Sequence, residues 1–467
     1  MNKDLPNVVL AVLDTSRRDR YGCYGYPVNT TPTVDALAAD GLRHDAMVSN
    51  APWTVPAHGS IFTGLYPTQH GAQWRSGMKL RESVSVTLAE WMHSVGYETV
   101  CATNNGLISN NTGLARGFDH YAFRLDLERG LPRAQRRVTK ALFGGDSGGK
   151  IINRWLDRTV SEVRKPLFLF VNYLECHWAY APPQRFMRQV GGDDFGPLEA
   201  LRYRMSVARS WGPWEGIARA DDRTLAAYSK LYDGELANAD NHLRELLGIL
   251  RRAKRLDGNT IVIVTSDHGE HIGEHGLADH HASLSEYLTG VPFVVWGPGI
   301  IPAGRRADVS ELADLFPSIC RMLDEPVPAG YLADRRRDVL EPQADNPGAE
   351  RIAFSEWAAW NEGERERLAR RNPSFDFSDL GRDLVSARTG RFKLVRTEGH
   401  PDKLFDLATD PGEQRDASGE WPDEARRLGW ELDQQTASWD AWKQEPEALS
   451  DTDQAELEKR LSALGYI

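Results

Sequence analysis

Short apolar runs alternate with longer amphipathic stretches over most of the chain, and this alternation predicts the fold class. Five runs, at 7–13, 98–103, 166–173, 259–265 and 291–296, have the length and composition of strands buried on both faces. Helical spacing of apolar residues occurs at 33–40, 86–94, 224–250 and 310–323. Strands that alternate with helices predict an α/β fold with a large, mainly parallel mixed sheet flanked by helices.

The pattern changes after about residue 345, where the segments RIAFSEW, LVSARTG, RFKLVRT and KLFDL are short, β-like and bounded by turn residues. They predict a smaller C-terminal antiparallel β subdomain. We therefore divide the chain into a catalytic domain (1–345), a small α+β subdomain (346–440) and a helical tail (441–467). Within the first domain, the apolar residues of segment 186–222 show no regular spacing. This segment is either a lid insertion or a surface loop.

Charge and composition narrow the function classes. The formal net charge of −11 disfavours nucleic acid and anionic lipid as partners, although a metal and a few local cations would still admit an anionic substrate. No apolar stretch reaches the length of a membrane span, and the N-terminal run lacks the features of a signal peptide. The four cysteines are widely spaced, which disfavours disulfides and thiolate zinc. We expect a cytoplasmic protein without membrane insertion, and homo-oligomerisation is compatible with this composition.

Four residues have the chemistry of a metal-assisted nucleophilic site. Asp14 and Asp267 each follow a predicted strand, and the carboxyl ends of parallel strands meet at one edge of a sheet. Together with His268 and Thr54 they offer ligands suited to one divalent ion, which would be Zn, Mn, Ca or Mg. A metal beside the Thr54 hydroxyl would lower its pKa for attack. Each of these residues, taken alone, could instead have a purely structural role. Thr54, for example, lies two residues before Pro56 and also fits a helix N-cap.

The opening LDTSRRDRYGCYGYP and the segment TVPAHGSIFTGLYPTQHG are similar to the opening and nucleophile motifs of the sulfatases, a family of the alkaline phosphatase superfamily. The central YLECHWAYAPPQRF, the segment TSDHGEHIGEHGL and the following GVPFVVWGPG also match in order. KLFDLATDPGEQ resembles the C-terminal LYDLxxDPxE signature. The resemblance covers nearly the whole chain and implies a large mainly parallel sheet plus a small C-terminal sheet.

The resemblance also assigns roles to individual residues. Asp14, Thr54, Asp267 and His268 fall on metal-binding positions, and Thr54 is also at the nucleophile position. His177 falls on the central histidine that contacts the ester or leaving group, and His280 or the adjacent His281 falls where many sulfatases have a lysine. The resemblance further implies that substrate is bound by Arg17, His58, Asn105 and His281.

Two departures from the sulfatase pattern bear on the reaction. Sulfatases convert a cysteine or serine at the nucleophile position into formylglycine, whereas oxidation of Thr54 would give a ketone, so we expect no formylglycine. Thr15 replaces the second aspartate of the opening pair. The resulting set, Asp, Thr, Asp and His, is closer to lipoteichoic acid synthases, phosphoethanolamine transferases and half of the two-zinc phosphodiesterase site.

These observations predict a metal-dependent hydrolase that cleaves a phosphate or sulfate ester through Thr54, with a phosphoester or phosphodiester favoured. The expected substrate is a small anionic ester or a glycan-linked one. One alternative is a transferase that moves the phospho-substituent to a sugar or lipid hydroxyl. A second is a ligand-binding sulfatase homologue without catalytic activity.

Overall fold

The computed structural model describes residues 5–127, 147–178, 180–192, 222–328, 338–341, 350–360, 366, 370 and 381–440. Most of the predicted lid segment and all of the predicted tail lie outside these ranges. The strands are β1 (Asn7–Leu13), β2 (Leu42–Val48), β3 (Glu98–Thr103), β4 (His120–Phe123), β5 (Leu167–Tyr173), β6 (Thr260–Thr265), β7 (His271–Ile272), β8 (Ala278–Asp279), β9 (Gly290–Val291), β10 (Phe293–Trp296), β11 (Gly304–Glu311), β12 (Ala353–Trp357), β13 (Leu384–Arg388), β14 (Phe392–Thr397) and β15 (Lys403–Asp406).

Helices connect these strands and cover both faces of the main sheet. They are α1 (Pro32–Asp40), α2 (Thr54–Thr63), α3 (Pro67–His70), α4 (Leu88–Ser94), α5 (Arg124–Leu127), α6 (Gly149–Glu162), α7 (Gln184–Gln189), α8 (Asp222–Arg252), α9 (Glu286–Thr289), α10 (Leu315–Met322) and α11 (Pro422–Asp440). Within the described ranges, no helix has both the length and the apolar composition that a membrane crossing requires.

The main sheet has the strand order β11-β2-β10-β6-β1-β5-β3-β4, and β9 pairs with β2. Strands β6, β1, β5, β3 and β4 form a parallel block, and β2 and β11 form a parallel pair. Strand β10 is antiparallel to both of its neighbours and joins the two groups. The predicted mainly parallel, mixed sheet is therefore confirmed.

Strand β1 shows why the sheet needs helices on both faces. Val8, Leu10 and Val12 belong to one apolar core with residues of α2, α4 and α10. Val9 and Ala11 belong to a second core with residues of α1, α6 and α8. Because successive side chains of a strand point to opposite faces, a continuously apolar strand is stable only between two helical layers.

The C-terminal sheet is antiparallel, with the order β12-β13-β14-β15, as the four β-like segments predict. It packs beside the edge of the main sheet, where Ala353 of β12 contacts Ala46 and Val48 of β2 and Val309 of β11. This contact brings the end of β12 close to the loops that follow β2 and α2.

Several elements were not predicted, namely β2, β4, β11 and α6. Strand β2 (LRHDAMV) was missed because it contains three consecutive polar residues at 43–45, of which His44 is buried. The predicted helix at 310–323 begins too early. Ser310 and Glu311 end β11, where Glu311 accepts hydrogen bonds from the Tyr66 hydroxyl and the Phe354 amide, and α10 starts only at Leu315.

The side chain of Glu356 in β12 is buried against the segment that follows α2. Its carboxylate accepts a hydrogen bond from the Thr68 amide (3.2 Å) and one from the Thr68 hydroxyl. Burial, only partly offset by these hydrogen bonds, raises the pKa of Glu356 to about 7 from 4.5. Between these two pH values the unfolded chain releases a proton that the folded chain retains. Stability from this group is therefore lost as the pH rises toward 7.

We predict that Glu356→Gln gains stability relative to the wild type as the pH rises. The gain in the free energy of unfolding should be about 2–3 kcal/mol between about pH 5 and about pH 8, since a neutral amide avoids the cost of a buried charge. Urea unfolding at both pH values measures it. Glu398→Gln, which removes an exposed carboxyl just beyond β14, is the matched control. A constant difference between Glu356→Gln and wild type across this range would contradict the prediction.

Candidate active site

The carboxyl ends of β1 and β6 bring together three of the predicted metal ligands. Asp14 directly follows β1, and Asp267 and His268 follow the adjacent, parallel β6. All three side chains are fully buried. One ligand atom from each lies within 4.8 Å of the others, which is the spacing that a shared cation requires.

Thr15 ties the two strand ends to each other. Its backbone N–H donates to Asp267 Oδ1 (3.1 Å), and its hydroxyl donates to Asp14 Oδ1 (3.0 Å). Thr15 holds the left-handed backbone conformation (φ 61°), which costs free energy in a β-branched residue and persists only where the surroundings fix it. At this position a sulfatase-like second aspartate would add a negative charge, whereas Thr15 adds a neutral donor.

The contacts of His268 fit a divalent cation at this point. Its Nδ1 lies 2.8 Å from the Gly269 carbonyl and therefore carries the proton, which leaves a lone pair on Nε2. That lone pair lies 3.2 Å from Asp267 Oδ2, and both atoms are buried without a hydrogen-bond partner. Two electron-rich atoms that face each other in a buried site need a positive charge between them, and together with Asp14 they have the spacing of a metal site, so the residues present fit the metal.

Thr54 is the first residue of α2, and the N-cap position belongs to Trp53. The alternative in which Thr54 is only an N-cap is therefore wrong. The side chain is fully buried, and Asn105 Nδ2 donates to its Oγ1 (3.3 Å) and to Asp14 Oδ2 (2.9 Å). One amide group thus contacts both the predicted nucleophile and a predicted metal ligand.

The orientation of the Asn105 amide is fixed by its own loop. Its Oδ1 accepts from the Leu107 amide (3.0 Å), and its backbone N–H donates to the Thr103 hydroxyl (2.9 Å) at the end of β3. The side-chain nitrogen consequently faces Asp14 and Thr54. Asn105 thus lies beside the predicted nucleophile, and its binding of substrate stays a prediction.

Asn172 is a site residue that the sequence analysis missed. It lies in the buried strand β5, and its Nδ2 donates to Asp14 Oδ2 (2.9 Å). A polar residue near the end of the apolar run LFLFVNY, next to the strand end where ligands collect, was the available signal. Two neutral amides, those of Asn105 and Asn172, therefore stabilise the charge of Asp14.

His58 lies one helical turn after Thr54 and contacts the metal-binding group from within α2. Its Nδ1 lies 2.9 Å from the Thr54 carbonyl and 3.4 Å from Asp267 Oδ2, and its Nε2 lies 3.5 Å from Asn172 Nδ2. These contacts favour a role in holding Thr54 and Asp267 in place. Direct binding of substrate by His58 stays a prediction.

Four imidazoles form a continuous cluster beside the predicted metal ligands. The ring of His280 lies 4.5 Å from His268, 5.1 Å from His177 and 4.7 Å from His281. The Nδ1 of His280 faces two carboxylates, Asp279 Oδ1 (2.8 Å) and Glu270 Oε1 (3.1 Å). The structure therefore brings His177, His280 and His281 together with the metal group, as the resemblance implies.

Burial sets the protonation state of His177. Loss of solvent, and then the proximity of His280, lowers the pKa of His177 to about 4. Its Nδ1 lies 2.8 Å from the Trp178 carbonyl. At neutral pH this histidine is uncharged and offers a fixed tautomer to the site.

Asp279, His280 and His281 form a second group with metal-ligand spacing, which the sequence analysis did not identify. Burial would raise the pKa of Asp279, but His280 and His281 hold it well below its usual range. Asp279 Oδ1 lies within 3.3 Å of Nδ1 of each imidazole. Since one carboxylate pairs with both rings, hydrogen bonding accounts for this geometry without a second ion.

Arg17 is fully engaged by neighbouring protein groups. Its guanidinium forms a two-pronged ion pair with Asp19 (2.7 and 2.9 Å), contacts Glu274 (2.6 Å) and lies 4.5 Å over the Tyr287 ring. These contacts favour a structural role for Arg17. The sequence analysis assigned Arg17 to substrate binding, and that assignment stays a prediction.

Comparisons with known proteins agree with this arrangement. The profile of the Sulfatase family matches residues 6–325. YidJ, an uncharacterized sulfatase of Escherichia coli strain K12, is 25% identical over 369 residues, which cover 72% of each chain. An arylsulfatase of Clostridium perfringens is 21% identical over 455 residues, which cover 87% of this chain and 89% of that protein.

Solved structures share the fold at lower identity. The structure of BT4656 in complex with its substrate D-glucosamine-2-N,6-O-disulfate superposes with a TM-score of 0.70 at 18% identity, covering 94% of this chain and 99% of that one. The phosphonate monoester hydrolase of Agrobacterium radiobacter gives a TM-score of 0.68 at 21% identity, covering 96% and 98%. The profile match, which spans more than half of the chain, establishes that this chain belongs to the sulfatase family of ester hydrolases.

Proposed function

We propose that the protein hydrolyses a phosphate ester through a covalent intermediate on Thr54, with one divalent metal held by Asp14, Thr54, Asp267 and His268. The observation that carries this proposal is the buried Thr54 hydroxyl at the start of α2. It shares the Asn105 amide with the metal-binding carboxylate of Asp14. A bound metal would lower the pKa of this hydroxyl and withdraw charge from the ester oxygens.

The chain itself supplies three contributions to the attack by Thr54. The Asn105 N–H stabilises the developing charge on the Thr54 oxygen, because its amide is already oriented by its loop. The first turn of α2 presents backbone N–H groups, which suit an anionic group next to Thr54. His58 binds the Thr54 carbonyl and thereby holds that turn against Asp267.

The leaving oxygen needs a proton, and His280 is the best-placed donor. Its Nδ1 faces Asp279 and Glu270, an arrangement that orients the ring and stabilises its charged form, so Nε2 is the atom that would exchange the proton. The neutral His177 beside it contributes hydrogen bonding to the ester or leaving group. The Thr54 hydroxyl loses its proton to solvent as it attacks, while the bond from phosphorus to the leaving oxygen breaks and His280 protonates that oxygen. Water then attacks phosphorus, gives a proton back to His280 and displaces the Thr54 oxygen, which takes up a proton again.

The chemistry of threonine favours phosphate over sulfate. A formylglycine hydrate can expel sulfate by elimination through its second hydroxyl, whereas a Thr54 sulfate would require water to attack sulfur directly. A Thr54 phosphate can be hydrolysed at phosphorus with assistance that metal sites supply well. The similarity to a phosphonate monoester hydrolase supports this preference. The similarity to a sulfatase bound to a glucosamine disulfate supports a sugar-linked ester as substrate.

We predict that Thr54→Ala loses turnover by roughly 10³-fold or more, since removing a nucleophile removes the covalent route. Thr54→Ser keeps a hydroxyl and should retain measurable turnover. Rates with a 4-nitrophenyl ester measure the effect. Thr63→Ala, which removes a buried hydroxyl at the other end of the same helix, is the matched control for folding. Near-normal turnover by a folded Thr54→Ala protein would exclude Thr54 as the nucleophile, whereas the absence of turnover in the folded wild type would favour the non-catalytic alternative.

We predict one bound metal per chain, and its loss in Asp267→Asn and His268→Ala. Asp267 Oδ2 and His268 Nε2 face each other across 3.2 Å, and each substitution replaces one of these two predicted ligand atoms. Elemental analysis after equilibrium dialysis against Zn²⁺ or Mn²⁺ measures the stoichiometry. Asp279→Asn alters the second acid-and-histidine group and should keep the metal. Two equivalents in the wild type, with one lost in Asp279→Asn, would instead place an ion at that group.

We predict a higher kcat/KM for a phosphate ester than for the sulfate ester of the same leaving group. The comparison uses 4-nitrophenol presented as a sulfate, a phosphate monoester, a phosphodiester and a phosphonate. Mass spectrometry of the tryptic peptide containing Thr54 verifies that the residue is unmodified. A clear preference for sulfate with unmodified Thr54 would overturn the proposed release step.

A further inference from the structure

The loop after β1 turns sharply at Thr15, and this turn joins the two carboxylates of the predicted metal site. Thr15 has a φ of 61°, which a β-branched residue adopts only at a cost in free energy. In this conformation its N–H binds Asp267 (3.1 Å) and its hydroxyl binds Asp14 (3.0 Å). Rotation to a negative φ would change the direction of the N–H relative to the side chain, so both contacts could not persist. The geometry of the metal-binding group therefore depends on whatever holds this backbone conformation.

The hydroxyl of Tyr232, in α8, binds two successive peptide groups of this turn. It donates to the Thr15 carbonyl (2.8 Å) and accepts from the Arg17 N–H (2.8 Å). The peptide group between Thr15 and Ser16 is also held at its other end, because the Ser16 N–H donates to Ser266 Oγ (2.9 Å). Since both its carbonyl and its N–H are engaged, this peptide plane cannot rotate freely. The turn is thus fixed by α8 on one side and by the loop after β6 on the other.

Ser266 extends the same support to the third predicted ligand. Its hydroxyl accepts from the Ser16 N–H and donates to the carbonyl of His268 (2.5 Å). The backbone that carries the imidazole is therefore tied to the turn that carries the carboxylate contacts. A change in the Thr15 turn would be felt by all three ligands.

Tyr232 can impose a strained conformation because it is itself held in place. Its side chain is fully buried, and its ring packs edge-on against Tyr180 at 5.3 Å. The next residue, Asp233, accepts a hydrogen bond from the Tyr26 hydroxyl (2.8 Å). Two turns further along α8, Asp240 accepts hydrogen bonds from two backbone amides in the first turn of α1. The helix is therefore anchored on both sides of the hydroxyl.

Holding the turn in advance matters because two buried carboxylates lie side by side. Without a cation, Asp14 and Asp267 repel each other in a site that solvent does not screen. A turn that could relax would let the two strand ends move apart, and a cation would then have to bring them together again. Fixing the turn beforehand removes that cost from binding. Groups that orient metal ligands in this way typically change metal affinity by about 10–100-fold when they are removed.

We propose that Tyr232 is a positioning residue for the metal, whose hydroxyl holds the strained Thr15 turn and thereby raises the affinity of the three predicted ligands for a divalent cation. Its described hydrogen bonds go to the backbone of the turn and to none of those ligands. The inference rests on the metal-binding part of the proposed function, and it is independent of the nucleophile and of the ester.

The Kd of the metal tests this role directly. The protein is freed of metal with EDTA, and it then competes with a chromophoric chelator for Zn²⁺ or Mn²⁺. Tyr232→Phe keeps the ring and removes the hydroxyl, and it should raise the Kd about tenfold or more. Tyr97→Phe is the matched control, since the buried Tyr97 also donates to a backbone carbonyl, that of Pro6 (2.9 Å), at the amino end of β1. It should leave the Kd within about twofold of the wild type.

Urea unfolding of the metal-free proteins separates positioning from folding. Both tyrosine variants can lose stability, but only Tyr232→Phe should also bind the metal more weakly. Ser266→Ala frees the other end of the same peptide group and should raise the Kd as well, which keeps the inference testable if Tyr232→Phe does not fold.

Each outcome separates this inference from the proposed reaction. An unchanged Kd in folded Tyr232→Phe, or in folded Ser266→Ala where Tyr232→Phe does not fold, overturns the positioning role even if Thr54 proves to be the nucleophile. Weaker binding by Tyr232→Phe together with full turnover by Thr54→Ala would retain the positioning role and refute the proposed nucleophile. A wild type that binds neither ion would overturn both the positioning role and the metal site.

Discussion

The burial of two carboxylates side by side is the constraint on which the rest of the active site depends. Asp14 and Asp267 are fully buried at the ends of neighbouring strands, where repulsion between their charges is screened little. The described contacts to them come from neutral donors, namely the amides of Asn105 and Asn172 and both donors of Thr15, and from the imidazoles of His58 and His268. These neutral donors lessen the repulsion without cancelling the negative charge of the two carboxylates, and a bound cation would cancel it.

The sequence predicted those features that depend on local pattern. The apolar runs of β1, β5 and β6 allowed the sheet to be predicted, and the residues directly after them allowed Asp14, Asp267 and His268 to be placed together. Features that depend on distant pairing could not be predicted in this way. Strand β2 has three consecutive polar residues at 43–45, and Asn172 differs from a structural asparagine only through its contact with Asp14, a residue 158 positions away. No local pattern carries that information.

The small C-terminal sheet contributes more than stability to this architecture. Strand β12 packs against the edge of the main sheet, and its last residue, Trp357, contacts the histidine cluster through His281. The predicted metal ligands follow strands of the main sheet, whereas a cavity beside β12 is lined by residues of the subdomain and of the segment after α2.

The chain order of the strands has a consequence for biosynthesis. Strand β1 lies between β5 and β6 in the sheet, so the first strand to be made waits for partners about 160 and 250 residues later. At a translation rate of about 5–20 residues per second, Asp267 follows Thr54 out of the ribosome by roughly 10–40 seconds. Until β5 and then β6 have been made, the nascent chain carries an apolar strand that lacks one or both of its neighbours. Over the same time Thr54 is present without the carboxylate and imidazole of Asp267 and His268, so the buried group at the strand ends can form only after most of the main sheet has been made.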